Sequence, residues 1–152
     1  MTEVLFVCTG NTCRSPMAEA IARDVYAGRR ADVWFASRGV NVLMPACATA
    51  YAVQTVQAEY GLDLSSHTAQ PLSEADMERA DLILTMTGAH EEYLLYAYPA
   101  YAGKVFALCA YAGIEGKEIK DPYGLDAAAY KACAKEIRAC IEGLALPAAR
   151  AE

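Results

Sequence analysis

Four short, predominantly apolar runs recur along the chain and predict buried β-strands. They cover residues 4–7, 33–36, 82–86 and 105–108, and such a run is typical of a strand covered on both faces. Between the runs, apolar residues recur every three or four positions, as along the buried face of a helix. Because strands alternate with helices, we expect an α/β fold in three layers, a four-stranded parallel sheet flanked by helices on both faces. A length of 152 residues suits a single domain, residues 1–152.

Local signals predict where several helices begin and end. Ser15 followed by Pro16 is typical of an N-cap and the first helical position, and Gly28 is expected to stop that helix. Ser73, with an acidic residue three positions later, indicates another helix start. The longest helix is expected from about Leu125 onward. Its apolar stripe comprises Ala129, Cys133, Ile137, Cys140 and Leu144.

Composition and charge exclude several classes of function. The 13 Lys and Arg residues against 19 Asp and Glu residues give a net charge of −6, whereas a nucleic-acid-binding protein is expected to carry a basic patch or stripe. No apolar run approaches the ~20 residues of a membrane span, and no signal peptide is evident. We therefore expect a cytoplasmic monomer with no nucleic-acid or membrane partner. The lack of Cys and His pairs at ligand spacing, and of nucleotide-binding fingerprints, predicts no metal and no cofactor.

The loop after the first strand carries the most chemistry, since parallel sheets bind ligands beyond the carboxyl ends of their strands. Backbone N–H groups at a helix start, in a loop that Gly10 and Asn11 allow to curl, form an anion cradle. Arg14 adds a planar fork for two phosphate oxygens. Cys8 lies where the helix dipole and Arg14 favour the thiolate. An isolated Cys-x5-Arg spacing would more often be a buried cysteine and a surface arginine, but the flanking strand and helix favour attack on a bound phosphoryl group.

Residues 4–19, VLFVCTGNTCRSPMAE, resemble the signature of the low-molecular-weight protein phosphatases, and Asp121-Pro122 resembles a distant motif of the same family. That family also has a four-stranded parallel sheet flanked by helices. The resemblance implies that Cys8 attacks phosphorus to form a phosphocysteine while Arg14 holds the equatorial oxygens. Asp121 would be the general acid for the leaving group, then the general base for water. The phosphate-binding residues would be Thr9, Gly10, Asn11, Thr12, Cys13, Arg14 and Ser15.

The resemblance also implies supporting residues around this loop. Ser15 would hydrogen-bond the Cys8 thiolate besides capping its helix, and Ser37 and His67 match family positions that brace Asn11. For His67, a loop histidine with no special role is the alternative. Arg38 stands where the family usually has alanine and is expected to face solvent, with added positive potential near the pocket as the alternative.

Three positions, Thr12, Tyr123 and Thr87, bear on the substrate, and all three resemble the bacterial branch that acts on phosphoarginine in proteins. Thr87 follows Met86, where tyrosine-directed members commonly have an aspartate. Thr12 stands where tyrosine-directed members usually carry a branched aliphatic residue, which would wall an apolar slot for a phenyl ring. Tyr123 is followed by Gly124, where those members often have a second aromatic residue for stacking. We expect phosphorylated proteins as substrates, with phosphoarginine favoured and phosphotyrosine as the alternative.

The six cysteines are expected to be thiols in a reducing compartment. Cys13 lies five residues after Cys8 in a curled loop, which predicts a disulfide that would inactivate the enzyme reversibly under oxidants. Cys133 and Cys140 fall on the apolar stripe of the last helix and are expected in the core. Cys47 and Cys109 receive no role.

Two functions from other classes remain as remote alternatives. An arsenate reductase on the same scaffold needs further redox cysteines after the third strand, and this chain has none there before Cys109. A non-catalytic phosphoresidue-binding module or phosphocarrier would not need a nucleophile, an arginine and an acid together. The sequence therefore favours a phosphatase.

Overall fold

The computed structural model describes residues 1–148 and contains the expected parallel sheet. Its strands are β1 (Thr2–Cys8), β2 (Val33–Gly39), β3 (Leu82–Thr85) and β4 (Val105–Ala107), in the spatial order β2-β1-β3-β4. All three pairings are parallel, with Thr2 opposite Val33, Val4 opposite Leu82, and Ile83 opposite Val105. The α/β prediction is confirmed. The carboxyl end of central β1 is thus the natural place for a ligand.

Six α-helices and one 3₁₀-helix connect or follow the strands in the described chain. They are α1 (Arg14–Tyr26), α2 (Ala50–Tyr60), α3 (Glu74–Arg79), α4 (Gly88–Ala97), the 3₁₀-helix (Pro99–Lys104), α5 (Leu108–Tyr111) and α6 (Ala127–Glu142). No helix within residues 1–148 combines the length and apolar character needed to cross a bilayer.

Alternate residues of β1 face two separate apolar layers, as expected for a strand covered on both sides. Val4 and Phe6 belong to the larger cluster, which includes residues of α1, α2 and α6. Leu5 and Val7 belong to the smaller one, which includes Met77 of α3 and Leu94 of α4. The helices therefore sandwich the sheet and fix the end of β1 between them.

Several element ends differ from prediction. The predicted N-cap at Ser15 is wrong: α1 begins at Arg14 with Cys13 as its N-cap residue, because the Ser15 hydroxyl is engaged by other groups of the loop. The same helix ends at Tyr26, before Gly28. In contrast, the capping box at Ser73 is confirmed.

The last helix begins later than predicted, at Ala127, where Asp126 caps it by accepting a hydrogen bond from a backbone N–H. Its inward face includes Tyr130 rather than Ala129. Arg38 does not simply face solvent, because its Nε lies 3.2 Å from a carboxylate oxygen of Asp76.

Candidate active site

The loop between β1 and α1 curls around the sulfur of Cys8. Asn11 occupies the left-handed region with φ of 56°, which asparagine tolerates better than most residues. This turn lets the Asn11 N–H donate to Cys8 Sγ at 3.3 Å, while the Ser15 Oγ lies 2.9 Å from the same sulfur. The sulfur thus lies within hydrogen-bond distance of a backbone N–H of the loop and a hydroxyl in the first turn of α1.

The buried side chain of Asn11 holds this curl in place. Its amide nitrogen donates to Ser15 Oγ at 2.8 Å and to Ser37 Oγ at 3.0 Å, and its Oδ1 accepts from the Gln70 N–H at 3.0 Å. The Nε2 of His67 donates to the Asn11 carbonyl at 2.7 Å. Ser37 and His67 therefore contact Asn11 through different groups. The Ser15 hydroxyl can donate its own proton either to the Cys8 sulfur at 2.9 Å or to the Arg38 carbonyl at 3.5 Å, and the sulfur is the nearer acceptor.

The carboxyl end of β2 packs directly against the loop at Gly39. A Cβ on this glycine would lie 2.6 Å from the Thr9 carbonyl oxygen and 3.0 Å from the Asn11 Cβ. The next two residues continue the contact, since the Val40 and Asn41 N–H groups donate to the carbonyls of Cys8 and Thr9 at 3.0 Å each. A side chain at position 39 would therefore displace the phosphate loop.

Arg14 and Asp121 meet at the open side of the same loop. Arg14 is buried, and one of its terminal nitrogens donates to the Ile119 carbonyl at 3.0 Å. The other lies 3.6 Å from Asp121 Oδ2, whose side chain is 51% exposed. The Oδ1 of Asp121 accepts from the Tyr123 N–H at 3.0 Å. The carboxyl group is thus held near the arginine yet open to solvent.

These groups line one cavity of about 290 Å³. Its wall comprises Cys8, Thr9, Gly10, Thr12, Cys13, Arg14, Asp121 and Tyr123. The structure therefore brings together the predicted nucleophile, arginine and acid and two of the three positions that bear on the substrate, Thr12 and Tyr123. Within residues 1–148, no three His, Cys, Asp or Glu side chains are grouped closely enough to hold a metal ion.

The electrostatics of Cys8 differ from the sequence-based expectation. Burial raises the pKa of this thiol, whereas the hydrogen bonds with Ser15, the charge of Arg14 and the N–H of Asn11 act in the opposite direction. Burial dominates, so the pKa lies above its ordinary value rather than below it. The charge of Arg14 and the loop hydrogen bonds therefore compensate for only part of the effect of burial on the Cys8 pKa.

Sequence reasoning missed a buried tyrosine behind the loop. The Tyr130 hydroxyl lies 3.3 Å from Cys13 Sγ and 3.1 Å from Thr49 Oγ1. Burial and the neighbouring Cys13 raise the pKa of Tyr130 to about 12. The pattern of α6 contained a usable signal, because residues 130, 133, 137 and 140 are spaced three or four apart. Tyr130 thus joins the last helix to the phosphate loop.

A second missed residue is His90, which lies in the first turn of α4. It is buried, and its Nε2 is 2.8 Å from the hydroxyl oxygen of Thr9. No spacing within the sequence connects these two residues, which are 81 positions apart.

The remaining cysteines fall into two groups. Cys133 and Cys140 are buried, as expected, and burial raises the pKa of each thiol to about 12. Cys109 is also buried, with its sulfur 3.4 Å from that of Cys140. Only Cys47 is exposed, and all six are free thiols.

Comparison with known proteins gives a consistent result. Residues 3–151 match the family described as low molecular weight phosphotyrosine protein phosphatase. The protein-arginine-phosphatase of Bacillus subtilis (strain 168) is 35% identical over 143 residues, covering 94% of each chain.

Two solved structures extend this similarity to the whole fold. The low molecular weight protein tyrosine phosphatase from T. tengcongensis superposes with a TM-score of 0.90 at 41% identity, covering 94% of this chain and 97% of the other. A mutant of the YwlE arginine phosphatase whose active-site serine is phosphorylated superposes with a TM-score of 0.88 at 35% identity, covering 93% and 92%.

Proposed function

The chain belongs to the low molecular weight phosphotyrosine protein phosphatase family, and we propose that it removes phosphoryl groups from arginine side chains of proteins. Membership makes it an enzyme that hydrolyses phosphorylated protein side chains through a phosphocysteine intermediate. The roles of individual residues and the choice of phosphoarginine are our assignments.

We assign the attack on phosphorus to the Cys8 thiolate, which forms the S–P bond as the P–N bond to the guanidino group breaks. The loop N–H groups and Arg14 bind the equatorial oxygens as charge develops on them. Anchoring of Arg14 by the Ile119 carbonyl at 3.0 Å supports this role, because it fixes the guanidinium before substrate arrives.

We assign the proton transfers to Asp121. In the first step its carboxyl group donates a proton to the leaving guanidino nitrogen. In the second step its carboxylate accepts a proton from the attacking water, the O–P bond forms as the S–P bond breaks, and inorganic phosphate and the Cys8 thiolate are released. The position of Asp121, 3.6 Å from Arg14 and half exposed, supports both steps. A phosphoryl group held by the loop and Arg14 would lie beside this carboxyl group, which remains accessible to a leaving group and to water.

The observation that carries the choice of phosphoarginine is Thr12 in the cavity wall. A hydroxyl there suits a polar guanidino group, whereas a branched aliphatic side chain would suit a phenyl ring. Tyr123 at the mouth is 69% exposed and is followed by Gly124, which leaves one aromatic side chain rather than two for stacking. The relatives include both arginine- and tyrosine-directed enzymes. The choice between phosphoarginine and phosphotyrosine therefore depends on Thr12 and Tyr123.

The test compares kcat/KM for phosphoarginine and phosphotyrosine peptides of the same sequence. We expect the wild-type enzyme to prefer phosphoarginine. Thr12→Ile should shift the ratio toward phosphotyrosine by about tenfold or more, as expected for added apolar surface in a pocket. Thr12→Ser keeps the hydroxyl and is the matched control, with the phosphoarginine preference retained. A wild-type preference for phosphotyrosine, or a ratio that Thr12→Ile leaves unchanged, would contradict the proposal.

We further propose that the enzyme acts as a monomer in the cytoplasm. Cys8 must be reduced to serve as a nucleophile, and the cytoplasm keeps thiols reduced. Light scattering coupled to size-exclusion chromatography should give one chain per particle; a dimer mass would refute the monomer.

A further inference from the structure

His90 connects the phosphate loop to the start of α4 through two side-chain hydrogen bonds. Its Nε2 lies 2.8 Å from Thr9 Oγ1, and its Nδ1 lies 3.0 Å from Thr87 Oγ1. Thr9 follows Cys8 directly and lines the cavity, whereas His90 itself is only 8% exposed. The reaction steps assigned above do not use this histidine.

The contacts of Thr87 indicate which way these hydrogen bonds run. Its hydroxyl oxygen accepts from the His90 backbone N–H at 3.2 Å, as an N-cap does. Its own proton can then be donated to His90 Nδ1. A neutral imidazole carries one N–H, and with the Thr87 proton donated to Nδ1 this N–H lies on Nε2 and donates to Thr9 Oγ1. The Thr9 proton is thus directed away from His90.

Burial is the main reason that His90 stays neutral. Burial and the nearby Arg14 lower its pKa to about 4, while Asp121 and Glu118 act in the opposite direction. At neutral pH the ring therefore has one donor and one acceptor, as this chain of hydrogen bonds requires.

We infer that His90 is a positioning residue, which orients the Thr9 hydroxyl so that it donates a hydrogen bond to the phosphoryl group in the cavity. This role rests on the proposed phosphatase site. A donor fixed before substrate arrives stabilises charge that develops on the phosphoryl oxygens. Without His90, the Thr9 side chain would be free to rotate, and the hydroxyl would be aimed correctly only part of the time.

A double-mutant cycle tests this inference with p-nitrophenyl phosphate as the probe. Thr9→Val removes the hydroxyl and keeps the shape, and His90→Leu removes both ring nitrogens. We expect each single variant to lower kcat by about tenfold, the loss of one oriented neutral donor, with a smaller change in KM. The double variant should be no slower than Thr9→Val alone, because His90 then has no hydroxyl left to orient.

Conservative variants separate positioning from a purely structural role. Thr9→Ser keeps the hydroxyl, and His90→Gln keeps an N–H that can reach it, so both should restore most of kcat. If His90→Leu gives no cooperative melting transition, the kcat values of His90→Gln and Thr9→Val decide whether His90 orients Thr9. Thr9→Val keeps the shape of the threonine, and His90→Gln keeps a polar side chain of similar reach.

Three outcomes would overturn the inference: multiplicative losses in the double variant, a wild-type kcat for Thr9→Val, or a His90→Gln enzyme as slow as Thr9→Val. None depends on which phosphorylated residue is preferred. A wild-type enzyme that favours phosphotyrosine would refute the substrate proposal and leave the cycle intact.

Discussion

The buried, neutral state of His90 should make the folded protein sensitive to mild acid. Its pKa is lowered from 6.5 to about 4 in the folded chain, whereas the unfolded chain has the ordinary value. Between these values the unfolded state binds a proton that the folded state does not. The free energy of unfolding therefore falls as the pH is lowered through this window, and it is fully recovered above it.

The size of the loss in unfolding free energy follows from the difference between the His90 pKa in the folded and unfolded chains. Each pKa unit corresponds to about 1.4 kcal/mol, so the full shift sets an upper limit of about 3 kcal/mol. At about pH 5 the unfolded histidine is almost fully protonated and the folded one almost fully neutral, so roughly 2 kcal/mol is lost relative to about pH 7.5. The carboxyl groups of Asp32 and Asp76 have lowered pKa values, so their contributions are lost only at still lower pH.

Urea denaturation at these two pH values measures the loss directly. We expect the wild-type protein to lose roughly 2 kcal/mol on acidification and His90→Gln, which cannot titrate, to lose much less. His67→Gln is the matched control, since it removes the other histidine of the chain and should retain the wild-type loss. Equal losses in wild type and His90→Gln would refute the reasoning about burial.

Three further predictions concern the loop and its partners. Gly39→Ala should lower stability by about 1–3 kcal/mol and reduce kcat, because its Cβ would meet the Thr9 carbonyl oxygen at 2.6 Å; a wild-type melting temperature and rate would contradict this. Asp121→Ala should lower kcat by about 100-fold or more with poor leaving groups and far less with p-nitrophenolate, so equal losses across a leaving-group series would remove its acid role. Cys13→Ser should abolish the recovery, by dithiothreitol, of enzyme inactivated with peroxide through a disulfide to Cys8; unchanged recovery would exclude that disulfide.

The sheet could be predicted from the sequence because each strand corresponds to a short apolar run, which is a local pattern. Each of the four apolar runs coincides with a strand, since a strand covered on both faces has no polar side to interrupt the run. Element ends were harder to predict. Ser15 has the residue type of an N-cap, but its hydroxyl is used by Cys8 and Asn11, and that competition depends on the curled loop rather than on helix propensity.

The residues that support the loop were only partly predictable. Tyr130 and His90 reach it across 117 and 81 positions of the chain. The spacing along α6 assigns Tyr130 to the buried face of that helix, but no local pattern reports which residue Tyr130 or His90 contacts, because both contacts depend on how helices pack around the finished sheet. The Cys8 pKa illustrates the same limit: the sequence displays the nearby donors, but the desolvation that outweighs them is set by packing from distant segments.

The net charge of −6 is compatible with an anion site because charge acts locally. Arg14 is only 5% exposed, so its charge and the loop N–H groups are weakly screened and act strongly over the short distances within the cavity. Exposed acidic residues farther than the Debye length of about 8 Å contribute little there. Asp121 is close enough to act on the site, since its carboxylate lies 3.6 Å from Arg14, but its side chain is 51% exposed and solvent screens part of its charge. The sign of the whole chain therefore does not predict the sign of its substrate.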